Sequence, residues 1–161
     1  MPEILPVGMA EMRISQPPDV LAVYGVGSCV IVAMYDPKTR IGGLAHIMLP
    51  CSSGVQTEKV NPKKFANTAI PLLFQTLAHA GVFRSNVWAK IVGGSEMFPP
   101  ADGISNSVGK QNVEAVLKAL DELGVPIIAK AVGGNSGRSV EFILSSGKMS
   151  VSILGEPPKE L

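Results

Sequence analysis

The stretch Cys29-Val30-Ile31-Val32-Ala33-Met34-Tyr35-Asp36-Pro37-Lys38-Thr39-Arg40-Ile41-Gly42-Gly43-Leu44-Ala45-His46 reads as two apolar strands joined by a turn. Proline presets φ for the first central position of a turn, so residues 36–39 mark the reversal. A loop of those four residues pairs Tyr35 with Arg40, and counting outward along both strands then sets Cys29 opposite His46. Directly opposed side chains share one face, with Cβ atoms roughly 4.5–5.5 Å apart. A one-residue slip would send His46 to the other face. The connection is a hairpin rather than a helical crossover, which already favours antiparallel or mixed sheets.

Working outward, residues 20–24 form an earlier strand and Gly25-Val26-Gly27-Ser28 a small-residue approach to Cys29. Asn61 followed by Pro62 matches an N-cap with proline at the first helical position. Phe65, Ala69, Leu72, Leu73 and Leu77 mark its apolar face, Pro71 predicts a kink, and Gly81 a stop. Residues 87–92 read as a strand, 110–123 as a second helix with Val113, Val116, Leu117 and Leu120 inward, and Gly124 ends it. Three further strands fall at 125–132, 139–144 and 148–154, the last two across Ser145-Ser146-Gly147. Residues 155–161 read as a frayed tail of a single domain spanning 1–161. Strands outnumber helices, so the predicted class is α+β: layered mixed or antiparallel sheets with flanking helices.

Bulk properties narrow the function. A net charge of +1 provides no basic field for nucleic acid or an anionic membrane. No apolar run approaches the roughly 20 residues that span a bilayer, so no membrane insertion is expected. The first residues lack the features of a secretion signal, which makes the cytoplasm the expected compartment and keeps Cys29 and Cys51 as thiols. Cys29, His46, Cys51 and His79 lack tight ligand spacing, so neither a metal nor a cofactor is expected.

A thiol beside an imidazole can make a nucleophile and its base. Free cysteine is only a few per cent ionised at neutral pH, and a neighbouring imidazole would favour the ion pair. The backbone N–H groups around Gly27 and Ser28 could hold an oxyanion. The glycine pairs 93–94 and 133–134 would serve similarly if their strands converge on the same rim. The same two residues also fit a buried core thiol and a satisfied core histidine.

The blocks Gly25-Val26-Gly27-Ser28-Cys29 and Ala45-His46-Ile47-Met48-Leu49-Pro50 resemble those of the bacterial chemoreceptor glutamine deamidase family CheD. So do Lys64-Phe65-Ala66-Asn67-Thr68-Ala69, the run from Ala89 to Phe98, Asn112-Val113-Glu114-Ala115-Val116, and the run from Gly133 to Val140. This resemblance implies a cysteine hydrolase of the fold class shared with bacterial deamidating toxins. It implies glutamines on chemoreceptor helices as substrate and a CheC-like phosphatase as partner. By position, Cys29 would attack the carboxamide and His46 would activate the thiol and protonate departing ammonia. A threonine that often completes the family's catalytic group is replaced here by Val23, which leaves the orientation of His46 without an evident source. The alternative reading is a weakly active or inactive CheD-like regulator that binds the phosphatase or a receptor.

Overall fold

The computed structural model describes residues 2–53, 60–97 and 107–161. Its strands are β1 (Ile4–Pro6), β2 (Met12–Ser15), β3 (Val20–Val26), β4 (Val30–Tyr35), β5 (Gly42–Ile47), β6 (Trp88–Gly93), β7 (Ile127–Val132), β8 (Arg138–Ile143), β9 (Lys148–Ile153) and β10 (Lys159–Glu160). Two helices, α1 (Ala66–His79) and α2 (Val108–Leu123), interrupt them. The strands form two five-stranded sheets, β1-β3-β8-β9-β10 and β2-β5-β4-β6-β7. Both are mixed, because β1 runs parallel to β3 and β7 parallel to β6 while the other pairs are antiparallel. The α+β layering follows the sequence reading.

Alternation along β4 explains the layers, since successive strand residues face opposite sides. Val30, Val32 and Met34 join α1 and α2 in one core. Ile31, Ala33 and Tyr35 face the other sheet, where they meet Leu21, Val23, Val140 and Phe142. Tyr35, Trp88 and Phe142 pack their rings together across that interface, at centroid separations of 5.1 to 6.4 Å.

The β4–β5 register differs from the expected one by two residues. Tyr35 pairs with Gly42, and His46 lies opposite Ile31 rather than Cys29. The loop still holds four residues, but they are Pro37 to Arg40, because Asp36 stays in the ladder with its amide on the Ile41 carbonyl at 3.1 Å. The Asp36 carboxylate accepts from the Lys38 amide and the Thr39 hydroxyl, at 2.9 and 3.0 Å, and Arg40 closes the turn at φ 60°. A shift of two preserves the face. Cys29 packs against the inter-sheet core beside Ile31, so both side chains remain on the side that faces the first sheet.

Helix α1 begins later than expected. Asn61 does not cap it; its side chain accepts from the Lys63 amide in a local turn, and Phe65 is the residue before the first helical turn. The helix is assigned without a break through Pro71 and ends in a Schellman arrangement, with the Gly81 amide on Ala78 and the Val82 amide on Leu77. Helix α2 starts at Ser107, whose hydroxyl accepts from the Lys110 amide, and stops at Gly124 in the left-handed conformation. Residues 155–161, expected to fray, return instead to the first sheet: β10 pairs with β9, and the Leu161 side chain packs on the inter-sheet core.

Gly93 is one of the tightest points of this frame. Its φ is +117°, and a Cβ there would stand 2.3 Å from the Cys29 carbonyl oxygen. Gly93→Ala is therefore expected to destabilise the fold by about 3 kcal/mol through backbone strain and overpacking. A urea midpoint unchanged from the parent would contradict this account.

Candidate active site

Cys29 leaves the β3–β4 connection at the lip of β4, and His46 projects from β5. Both line one cleft of about 540 Å3, together with Met9, Tyr24, Gly27, Ser28 and Met97. Cys29 is half-buried and His46 buried, at 5% exposure. The two side chains line the same cleft but are offset along the hairpin rather than opposed.

Val23 is buried in the inter-sheet core. The orienting group for His46 is a backbone one: its Nδ1 lies 3.3 Å from the Val7 carbonyl. A carbonyl only accepts, so Nδ1 carries the proton and Nε2 is left as the basic nitrogen. The connection between β1 and β2 wraps this strand end. The Ala10 amide donates to the His46 carbonyl at 3.0 Å, the His46 amide to Glu11 at 2.9 Å, and the Glu11 carboxylate accepts from the Gly8 amide.

Burial holds the His46 imidazole below its ordinary range, against weaker opposite pulls from the Val7 carbonyl and the Glu11 charge. Burial also pushes the Cys29 thiol up, and its own amide only partly counters that. Both shifts favour the uncharged forms, a thiol and a neutral imidazole. Desolvation, which penalises either charged form, acts against the ion pair that the sequence reading expected.

The carbonyls of Gly27, Ser28 and Cys29 are all tied back. The Gly27 oxygen accepts from the Ser95 amide at 3.0 Å and the Cys29 oxygen from the Gly94 amide at 2.8 Å. The Ser28 oxygen accepts from Asn112 Nδ2 at 2.9 Å. The amides of Gly27 and Ser28 have no protein acceptor among the described residues. The glycine pairs 93–94 and 133–134 do converge, with the Gly133 amide on Gly93, but they border a neighbouring cleft. Gly94 ties down the Cys29 carbonyl, and Gly133 in turn bonds Gly93.

Arg138, buried at 9%, knits the same rim through Gly133, Gly93 and the Ser95 hydroxyl. Burial, which penalises its charge, holds its pKa below the ordinary guanidinium value. Asn112 and Arg138 entered the sequence reading only as members of the family blocks, with no role given to either. Among the described residues, no group of three or more His, Cys, Asp or Glu side chains is placed to hold a metal. His79 is exposed in the last turn of α1.

Cys51 is exposed, and its thiol is pulled below the ordinary range first by the Ser53 hydroxyl and then by the Ser53 amide. Limiting iodoacetamide at neutral pH is expected to modify Cys51 before Cys29, as read by peptide mass mapping, and Cys51→Ser should remove the fast phase. Faster labelling of Cys29 would contradict the neutral resting pair.

The CheD chemotactic sensory transduction family model matches residues 48–153. That span begins just after His46, but full-length relatives cover the whole site. A protein named probable chemoreceptor glutamine deamidase CheD from Lachnoclostridium phytofermentans is 39% identical over 162 residues, covering 100% of both chains. The chemoreceptor glutamine deamidase CheD of Halalkalibacterium halodurans is also 39% identical with the same coverage. A Clostridium botulinum protein named as a probable member is 41% identical over 96% of both chains. Among solved structures, the Bacillus licheniformis hypothetical protein YfiH overlays with a TM-score of 0.47 at 16% identity, over 74% of this chain. This chain spans 49% of that one. Among the described residues, no helix is long and apolar enough to cross a membrane.

Proposed function

The chain belongs to the CheD family, and on that premise we propose that it is a chemoreceptor glutamine deamidase using Cys29 as nucleophile and His46 as base. Its relatives carry that activity in their names, and chemotaxis is the setting of the family. The observation that supports the residue assignment is the shared cleft, with the Nδ1 proton of His46 committed to Val7 and Nε2 left for the thiol.

In this mechanism Cys29 Sγ attacks the glutamine side-chain carbonyl while its proton moves to His46 Nε2. Backbone N–H groups at Ser28 and Cys29 receive the negative oxygen. The C–N bond then breaks, the imidazolium proton leaves with ammonia, and a γ-glutamyl thioester remains on Cys29. Water attacks the thioester as His46 takes its proton, glutamate departs, and the proton returns to sulfur. Amide and water become carboxylate and ammonium, with no redox step and no cofactor.

The proposal includes a cytoplasmic setting, a CheC-like phosphatase as a second protein partner, and kinship of the layered fold with the cysteine hydrolases among deamidating toxins. One observation favours the alternative of a regulator that binds without turnover: Val23, which stands where the family often has a threonine, is buried in the inter-sheet core and offers His46 no hydrogen bond. Mass-spectrometric mapping of receptor helices after incubation with the wild type and with Cys29→Ala separates the two. Glutamine-to-glutamate conversion by the wild type alone supports the deamidase; no conversion by either supports the regulator.

A further inference from the structure

We infer that Asn112 is a positioning residue that aims the Cys29 amide at the developing oxyanion and clamps the nucleophile loop to the histidine strand. The inference rests on the deamidase reading and extends it to a residue outside the cleft. Asn112 lies within α2, is fully buried, and does not line the cleft. Its Nδ2 donates twice, at 2.9 Å each: to the Ser28 carbonyl beside the nucleophile and to the Met48 carbonyl just past β5. One side chain thus joins the two chain segments whose separation sets the geometry between Cys29 and His46.

The planar trans peptide gives the first of these bonds its consequence. The C=O and N–H of one peptide unit point in opposite directions. Holding the Ser28 carbonyl toward the interior therefore turns the Cys29 N–H toward the side where the cleft lies. The Ser95 amide does the same for the Ser28 N–H by holding the Gly27 carbonyl. The two amides become a donor pair aimed in advance, which is the arrangement that stabilises a tetrahedral oxyanion.

Core packing alone is a poor account of this residue. Asn112 Oδ1 is buried with no partner among the described residues, and an unpaired buried acceptor is costly. An apolar side chain would avoid that cost but could not hold the two carbonyls.

The test compares Asn112→Ala and Asn112→Leu with the parent in a Cys51→Ser background. Three quantities are read: ammonia release from a receptor helix fragment, affinity for a peptide bearing the aldehyde analogue of glutamine, and iodoacetamide labelling of Cys29 at alkaline pH. The aldehyde reports on the oxyanion site because Cys29 Sγ adds to its carbonyl carbon, the C=O π bond opens, and the thiol proton moves to oxygen. We expect kcat and aldehyde affinity to fall about 10²-fold with KM within about 2-fold. Labelling, which needs no oxyanion donor, should stay within about 3-fold.

A purely structural role would lower the melting temperature and the labelled fraction but leave kcat per labelled Cys29 unchanged, which would overturn the inference. Where alanine fails to fold, leucine keeps the volume, and Asn112→Asp keeps the shape while removing the donor. Unchanged aldehyde affinity in whichever variants fold also overturns it. If the wild type releases no ammonia yet the variants still lose aldehyde affinity, the positioning role stands and the deamidase reading falls.

Discussion

Cys29→Ala is expected to abolish conversion of receptor glutamine to glutamate, a loss on the order of 10⁶-fold, while leaving the protein folded. The size follows from the chemistry: without sulfur there is no thioester, and His46 alone would have to direct water at an unactivated carboxamide. The fold should hold because Cys29 is only half-buried and lies outside β4, so truncation costs within about 1 kcal/mol. Its carbonyl bond to the Gly94 amide belongs to the backbone and survives the change. The measurement is the mass of each receptor peptide over time, alongside the thermal midpoint. Residual conversion within tenfold of wild type would remove Cys29 from the mechanism. The alanine variant should still bind receptor, and that would make it a trap for the complex.

The hairpin shows what the sequence could and could not say about this site. Proline at position 37 announced a four-residue loop, and the loop has that length. The register moved because Asp36 uses its carboxylate to cap the turn and because Arg40 accepts a left-handed backbone, choices made by local hydrogen bonds rather than by hydrophobic pattern. The displacement was even, so the shared face survived. At α1, the Asn61-Pro62 signal lost to long-range pairing: the Lys64 carbonyl accepts from Met48 and Leu49, and the Ala66 amide donates to Leu49. These bonds hold Phe65 extended beside the end of β5 before the helix starts at Ala66. In α2 the inward face is rotated from the expected one. Asn112, Val116, Ala119 and Leu120 are buried, while Val113 and Leu117 are only partly covered. Asn112 stood in a family block, but its burial was not legible, because a helical asparagine carries no apolar signal. The Val7 carbonyl was beyond reach for a deeper reason: every residue offers the same backbone group, and only the fold selects which one meets a histidine.

His46→Ala is expected to lower kcat by about 10³-fold, and the pH profile of the parent should reveal which protonation state works. His46 must be neutral to accept the thiol proton, and burial places its pKa below the ordinary 6.5. Activity should therefore rise with pH on a limb lying below 6.5 and already be level at neutrality. Cys29 must supply the proton that later leaves with ammonia, and burial places its pKa above the ordinary 9.0. The alkaline limb should fall only beyond that value. The same shift in His46 acts on stability. The unfolded chain takes up the proton first, so this contribution is present above pH 6.5 and is lost as pH falls from 6.5 through the depressed folded value. An ion pair would behave differently. It would make Cys29 alkylate rapidly across acidic and neutral pH, and His46→Ala would slow that reaction. A neutral pair gives alkylation that climbs only in alkali and is little changed by His46→Ala, although turnover collapses. Rapid labelling of Cys29 at pH below 6.5 would show that attraction between the charges overcomes burial, and the base mechanism would yield to a preformed thiolate.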